Sequence, residues 1–435
     1  MKENLSLINK FEEFNQKASK TTPSWFNELK EESLKRFNTL EFPTTKNEDW
    51  KYTNITALLQ RTYQIPDQSH LKEIAEFQSY TEKDAILIVF VNGQFSVEHS
   101  RLKNNNPGVK ISPLKEALQN TNGMSLQKIL TSYKPAEESI FVLLNRILAN
   151  DGIYINIAEK TISSDLIHIV YITSANGKEL ITSPRILINA GKSAEATVLE
   201  SHISFAEDDL YFSNALTDIF IAENAALHYY KAQKESAKAF HINATRVTQE
   251  ANSNFNSFLL TSGGAITRNN LNVFLNGEGS SSLLNGLYAP YGSQLVDNHT
   301  CVDHRLPNCV SNQLYKGILN DSARAVFNGK IIVHPIAQKT NSYQLNKNLL
   351  LGKECRVDTK PQLEIGADDV KCTHGATIGQ LNQDEIFYLQ TRCIPKKTAT
   401  KMLVRGFVDD VLGRIPHEEI YKKMNAFLKP AFEAI

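Results

Sequence analysis

Leu271-Asn272-Val273-Phe274-Leu275, closed by the turn-forming run Asn276 to Ser282, carries the pattern that decides the fold. An aliphatic side chain at every second position marks a strand with one buried face. Ile153, Ile155 and Ile157, alternating with Tyr154 and Asn156, give the same pattern much earlier in the chain. From about Gly152 to Gly379, short strands of this kind are punctuated by Gly, Asn, Asp and Ser, as at Asn189 to Gly191, Asn285-Gly286, Asn320-Asp321 and Asn328-Gly329. Few stretches in this span carry helical periodicity over three turns. So many short strands can build a sandwich, a barrel or a β-solenoid. Successive apolar runs lie about ten residues apart, a spacing shared by all-β folds. The abundant Asn, Ser and Thr side chains can ladder from coil to coil, which favours the solenoid. There is no strict repeat, and the pattern by itself leaves a sandwich open.

The flanks read differently. Thr22 before Pro23 predicts a helix start, with Phe26, Leu29 and Phe37 on an apolar face and Ser33 polar. A second helix is expected from Leu34 to a break at Pro43. Ile86 to Val91 reads as a buried strand ending in the hairpin signal Asn92-Gly93. From Leu381 the chain turns helical. Asn382 with Glu385 resembles a capping box ahead of Ile386, Leu389 and Cys393. Pro395 can open a second helix, striped by Ala399, Met402, Leu403, Phe407 and Val411. Pro416 can open a third, with Ile420, Met424, Phe427 and Leu428 on one side. The expected organisation is a mainly helical N-terminal domain over 1–150, a β-solenoid core over 151–380 and a C-terminal helical domain over 381–435. Terminal helices suit a solenoid, whose open ends expose unpaired strand edges. They either cap the core or dock a partner, and periodicity does not choose.

Bulk properties narrow the function. The 435 residues hold 47 Lys plus Arg and 47 Asp plus Glu, a formal net charge of zero. A nucleic-acid binder usually carries a basic excess. The N-terminal stretch mixes Lys2, Glu3, Lys10, Glu12 and Glu13 with apolar residues, unlike a signal peptide. The longest apolar run, Ala85 to Val91, is far short of a membrane helix. A cytoplasmic protein without membrane or nucleic-acid partners is expected. The five cysteines, Cys301, Cys309, Cys355, Cys372 and Cys393, form an odd set in such a chain, so reduced thiols are expected rather than a disulfide framework.

The densest chemistry lies at Asp368-Asp369-Val370-Lys371-Cys372-Thr373-His374-Gly375. On a strand, Cys372 and His374 project from one face, and thiolate and imidazole both suit iron or zinc. A buried thiol beside a hydrogen-bonded histidine is the plainer reading. Two ligands do not complete a cluster site, which usually takes about four, so others come from elsewhere in the chain or from another subunit. His299, Cys301, His304 and Cys309 have a spacing that passes for part of a zinc site but lack a second close pair. The alternation of His299, Cys301 and Asp303 with Thr300, Val302 and His304 favours a strand there. Asp368 and Asp369, if on a strand, face opposite ways and make a poor catalytic pair. No phosphate-binding loop of the Gly-x-x-x-x-Gly-Lys type and no Gly-x-Ser-x-Gly elbow is present. Ser262-Gly263-Gly264 is a small-residue turn.

A resemblance now adds to this reading. The stretch from about Asn298 to Phe407 resembles the SufB/SufD family of the SUF iron–sulfur cluster assembly system. It is carried by His299-Thr300, Pro307-Asn308-Cys309, Gln313-Leu314-Tyr315-Lys316-Gly317, Ala325-Val326-Phe327-Asn328-Gly329-Lys330, Asn348-Leu349-Leu350-Leu351, Thr359-Lys360-Pro361-Gln362-Leu363-Glu364-Ile365, Lys371-Cys372-Thr373-His374-Gly375-Ala376-Thr377 and Ile386-Phe387-Tyr388-Leu389. Glu48-Asp49-Trp50-Lys51-Tyr52-Thr53 near the start also resembles it. Gly375 after His374, where SufB-like chains carry Glu, places the likeness on the SufD side. Cys393 departs from the family, which usually has Gly after Arg.

The resemblance implies a mainly β protein, a right-handed parallel β-helix between terminal helical domains. It implies a non-catalytic scaffold subunit that pairs with a SufB-like chain through the β-helix and docks a SufC-like ABC ATPase through the C-terminal helices. ATP hydrolysis would belong to SufC. No tightly bound cofactor is implied, only a transient iron–sulfur cluster at the SufB–SufD interface, with Cys372 and His374 as the half-site this chain supplies. His374 would be a transient iron ligand, and Cys372 a second ligand or a sulfur acceptor. A homodimer is a further possibility the resemblance leaves open, as is a purely structural partner of SufB with no ligand role. A polysaccharide-cleaving β-helix enzyme is the rival from another class; it lacks support in an export signal or a grouped set of acids.

Overall fold

The computed structural model describes residues 7, 23–66, 77, 81, 84–102, 106–119, 126–127, 129–130, 138–149 and 151–435. Its centre is a β-solenoid of about eight turns built from two sheets. One sheet has ten strands and begins with Ile86–Val91. The other has eleven and runs to Arg356–Ile365. From Ala226–Glu235 onward the chain alternates strictly between the sheets, and each strand pairs in parallel with the strand one coil earlier. Parallel pairing between coils removes the sandwich, whose neighbouring strands run antiparallel. The expected mainly β fold with flanking helices is therefore present.

The coils keep register through a corner that sequence inspection misses. Lys160, Ser193, Asn224, Asn252, Gly279, Asn308 and Lys339 all adopt left-handed backbone, with φ between 54° and 71°. Each donates its amide to the carbonyl of a corner residue one coil later, as in Asn224 N to Ala251 O at 2.9 Å and Asn308 N to Gln338 O at 3.0 Å. Asn and Gly tolerate this conformation, and Lys and Ser bear a local cost that the ladder offsets.

Along each strand, alternate residues face the lumen. In the early coils these are aliphatic: Ile153, Ile155, Ile186, Ile188, Ile219 and Val247 belong to one continuous buried cluster. The expected side-chain ladders also form. Asn243, Asn269 and Asn298 hydrogen-bond from coil to coil inside. The turn Asn92-Gly93 sits at φ 49° and 79° and closes the antiparallel pair Phe90↔Phe95. The strand before it, Ile86–Val91, pairs in parallel with Ile162–Ile172, so the N-terminal region contributes the ten-stranded sheet's first parallel member.

The C-terminal helices Lys396–Leu412 and Glu418–Glu433 cover the outer face of the ten-stranded sheet. Val404, Val408, Val411, Ile420, Met424, Phe427 and Leu428 pack on Leu199, Tyr230, Phe258, Leu287 and Leu314. The third stripe was read correctly from periodicity. The second is rotated: Met402 is exposed and Val404 and Val408 are buried. Asn382 caps the helix Gln383–Thr391 by accepting from Asp384 N at 2.9 Å. Cys393 lies outside that helix's buried face, exposed and with φ 61°.

Helices Ser24–Phe37 and Ile140–Leu148 lie against the eleven-stranded sheet. The buried face of the first is Phe26, Lys30, Ser33 and Phe37. Ser33, expected on the polar side, is buried because its hydroxyl receives Arg146 Nη1 at 3.0 Å. No second helix starts at Leu34; the first runs through it to Phe37. Thr22 lies outside the described residues, and Pro23 occupies the cap position.

Two buried histidines make folding acid-sensitive. Burial, with Lys423 nearby, holds His168 well below its usual value, and burial holds His304 at about 4 despite Asp303. Both folded values are depressed. The unfolded chain therefore binds more protons between about pH 6.5 and 4, and stability falls as pH falls through that window, by roughly 1.4 kcal/mol per unit per histidine. Urea midpoints measured from pH 7.5 to 4.5 are expected to drop below pH 6.5, and a flat profile would refute neutral burial.

Candidate functional site

The last coil leaves its lumen open. The strands Arg356–Ile365 and Lys371–Gly379 end the two sheets and, among the described residues, have no strand beyond them. Every residue of both is at least partly exposed, whereas the strands one coil earlier are largely buried. Side chains that would be core in any other coil are therefore presented to the outside.

What they present is polar. The lumen loses its aliphatic character toward this end. Thr300 Oγ1 donates across to Gln313 Oε1 at 2.8 Å, and Gln344 Nε2 lies 3.4 Å from the same oxygen. His304 meets Ser311 Oγ at 2.9 Å, and Ser311 meets Ser342 Oγ at 2.6 Å. Asn348 donates to Asn346 at 2.7 Å, and Asn346 to Tyr288 at 2.9 Å. Room for Gln344 depends on Gly329, because a Cβ there would lie 1.8 Å from Gln344 Nε2.

Register carries these columns to the motif. Cys372 pairs with Ser342 and His374 with Gln344, so the columns Ser311–Ser342–Cys372 and Gln313–Gln344–His374 run up the lumen wall. Cys372 and His374 share the lumen face, as their spacing requires. Cys372 is half-buried against Ile331, Val333 and Leu363, and His374 is exposed. Burial pushes the Cys372 thiol up, only partly offset by the Ser342 backbone amide. It is a thiol near neutral pH and can bind a metal only if the ion displaces its proton to solvent. Beneath the pair, Gln344 Oε1, Gln313 Nε2 and Thr359 Oγ1 are buried without a hydrogen-bond partner. Such atoms are costly in a finished core. They form a polar floor beneath the open end.

The other candidates do not converge. Leu295–His304 is a strand, as the alternation indicated. His304 faces the lumen, while Cys301 faces out and is pushed by burial to about 12. Cys309 sits in the following turn, fully buried beside Ser280 Oγ at 3.2 Å. His299 is held by Asp297 at 2.9 Å. These groups form no shared metal pocket. Asp368 and Asp369 precede the last strand rather than lying on it, and Asp369 pairs with Lys339.

The motif Glu48 to Thr53 is a clamp. Thr53 Oγ1 donates to Asp297 Oδ2 at 2.6 Å, and Arg268 Nη1 donates to the same oxygen at 2.5 Å. The Arg268 guanidinium stacks on Trp50 at 3.8 Å, and Glu48 pairs with Lys360 on the last coil. The N-terminal segment is thereby tied to the strand pair that carries the open end.

Sequence reading placed Cys372 and His374 but not the polar floor beneath them. Gln313 and Gln344 lie far from the motif in sequence, and only the coil period joins them. Phe387, Tyr388 and Met402 on the C-terminal helices are exposed apolar residues.

Two family models match the chain: the SufBD protein N-terminal region over residues 1–169 and the SUF system FeS cluster assembly SufBD core domain over residues 171–407. Similar curated proteins include the iron–sulfur cluster assembly protein SufD of Escherichia coli K12, 32% identical over 393 residues that cover 88% of each chain. A SufBD family assembly protein of Synechocystis is 30% identical over 390 residues, 87% of this chain and 84% of that one. The chloroplastic protein ABCI7 of Arabidopsis thaliana is 28% identical over 401 residues, 90% and 83%.

Proposed function

Because this chain belongs to the SufB/SufD family of the SUF iron–sulfur cluster assembly system and is SufD-like, we propose that its open solenoid end docks a SufB-like subunit and that a nascent cluster forms between them. The observation that carries the proposal is the pair of lumen columns ending on Cys372 and His374 above unpartnered polar atoms. Docking covers the open edges and closes a pocket around iron and sulfide. Each subunit then supplies part of the ligand set. The cluster is cargo, assembled and released.

The C-terminal helices are the docking surface for a SufC-like ATPase, through exposed Phe387, Tyr388 and Met402. They also grip the ten-stranded sheet. Lys316 Nζ donates to Phe407 O at 2.8 Å and pairs with Asp410 at 2.6 Å. Movement of the helices on ATP binding by SufC therefore pulls on the sheet that ends in Lys371–Gly379, and opens the interface to iron and sulfur. Hydrolysis belongs to SufC; this chain is a scaffold.

Ile378 tests the docking face. It lies on the lumen side of the last strand, paired with Asn348, and is 47% exposed. Ile378→Asp leaves the isolated chain folded, because the new carboxylate stays hydrated. Docking would bury it unpaired, so affinity for the SufB-like chain is expected to fall by about tenfold or more. Co-purification with SufB and SufC chains reads this out. Unchanged recovery with Ile378→Asp would place the interface elsewhere.

A further inference from the structure

Inside the solenoid, several coils from the open end, lies a charged cluster that cluster assembly does not use. His202 on Glu195–Ile203, Glu235 on Ala226–Glu235 and His241 on Phe240–Gln249 all face the lumen and are buried. One ligand-capable atom from each lies within 4.8 Å of the others, and this is the only such set among the described residues. We propose that this lumen site binds a single divalent first-row metal ion, held by one ring nitrogen each of His202 and His241 and by the Glu235 carboxylate.

Three features support it. First, His241 Nδ1 sits 2.8 Å from Glu235 Oε2, an ion-pair contact whose proton a metal ion would replace. Two donor atoms side by side at about 3 Å is the bite of neighbouring ligands on an ion with bonds of about 2.1 Å. Second, the carboxylate is oriented from behind, as ligands generally are. Asn243 Nδ2 donates to His241 Nε2 at 2.8 Å, which leaves Nδ1 as the nitrogen facing Glu235. Tyr211 OH donates to Glu235 Oε1 at 3.1 Å, and Gln233 Nε2 donates to Oε2 at 2.6 Å. His202 stacks on Tyr171 at 4.3 Å and meets Glu200 Oε1 at 2.7 Å. Third, charge in the lumen is unevenly matched. Lys231 pairs with Glu200 at 2.8 Å, which leaves the His241 ring as the ion-pair partner of Glu235.

Two imidazoles and a carboxylate select zinc or ferrous iron over magnesium or calcium. The set spans more than a bound ion tolerates, so filling it draws His202 inward by a side-chain rotation.

The test uses the full chain, stripped with a chelator, then incubated with Zn2+ or, anaerobically, with Fe2+ and desalted. Mass-spectrometric metal analysis is expected to find about one ion per chain, without acid-labile sulfide. Glu235→Gln and His241→Gln keep side-chain size and are expected to bring retention to background. The double variant Cys372→Ser, His374→Ala is expected to keep the ion, which separates this site from the open end. Metal is also expected to raise the melting temperature of the wild type and not of Glu235→Gln. Cobalt substitution gives a check on the wild type alone, through visible ligand-field bands. A folded wild type that retains no ion, as an imidazolium–carboxylate pair would give, overturns the proposal. So do lumen variants that retain as much as the wild type, or loss of the ion in the open-end double variant.

Discussion

Replacing His374 by Ala is expected to abolish cluster assembly by the SufB-containing complex while leaving the complex intact. His374 is exposed on the last strand and contributes little to this chain's own core. Its removal therefore costs almost no stability. Once the end is covered, however, the same side chain is enclosed over Gln344, whose Oε1 already lacks a partner. An imidazole can ligate a metal there, and a methyl group cannot. Anaerobic reconstitution should yield iron and acid-labile sulfide at background with the variant, against a cluster with the wild type. Cys372→Ser is expected to lower the yield less, because Ser342 beneath it already supplies a hydroxyl to the column. Normal yield from His374→Ala in an intact complex would favour a purely structural partner of SufB.

Asp218→Ala is expected to give the largest loss of stability in the chain. Asp218 takes Arg185 Nη2 at 2.6 Å on one oxygen and Arg246 Nε at 2.6 Å on the other, with all three groups at most 2% exposed. Burial pushes its carboxyl up, but Arg246 and Arg185 outweigh burial and hold it below the usual range. The network continues outward: Arg246 lies 3.7 Å from Glu138, which also pairs with Arg146 and Arg36. It joins helices Ser24–Phe37 and Ile140–Leu148 to the eleven-stranded sheet. Removing Asp218 strands two buried guanidinium groups, a loss of about 3–5 kcal/mol. Asp218→Asn, which keeps the shape and part of the hydrogen bonding, should cost less. Urea midpoints for the two variants check this, and a shift within error for Asp218→Ala would show that the arginines are compensated otherwise.

Much of this molecule could be read from its residues, and the failures have physical reasons. Alternation at Ile153 to Ile157 and Leu271 to Leu275 marked strands because each has one face in a lumen. The coil period stayed hidden because its corner residues are Lys160, Ser193, Asn224, Asn252, Gly279, Asn308 and Lys339, a conformation held in common by dissimilar side chains. The helix stripe at Met402 was rotated because Val404 and Val408 pack into the apolar cluster on the ten-stranded sheet in its place. Ser33 was misplaced because Arg146, far away in sequence, gives a hydroxyl a reason to be buried. Cys372 and His374 were legible from strand parity alone. That they cap two lumen columns was not, since Ser311, Gln313, Ser342 and Gln344 meet them only through register. The lumen cluster of His202, Glu235 and His241 left no local motif, because its members come from three different strands.

Cluster content of the isolated chain, beside that of its mixture with a SufB-like partner, tests the division of the site most directly. After anaerobic incubation with ferrous iron and sulfide and desalting, the chain alone should hold no acid-labile sulfide, and the mixture should hold a cluster that requires His374. A stoichiometric cluster retained by the chain alone would contradict a half-site at the open end of the solenoid.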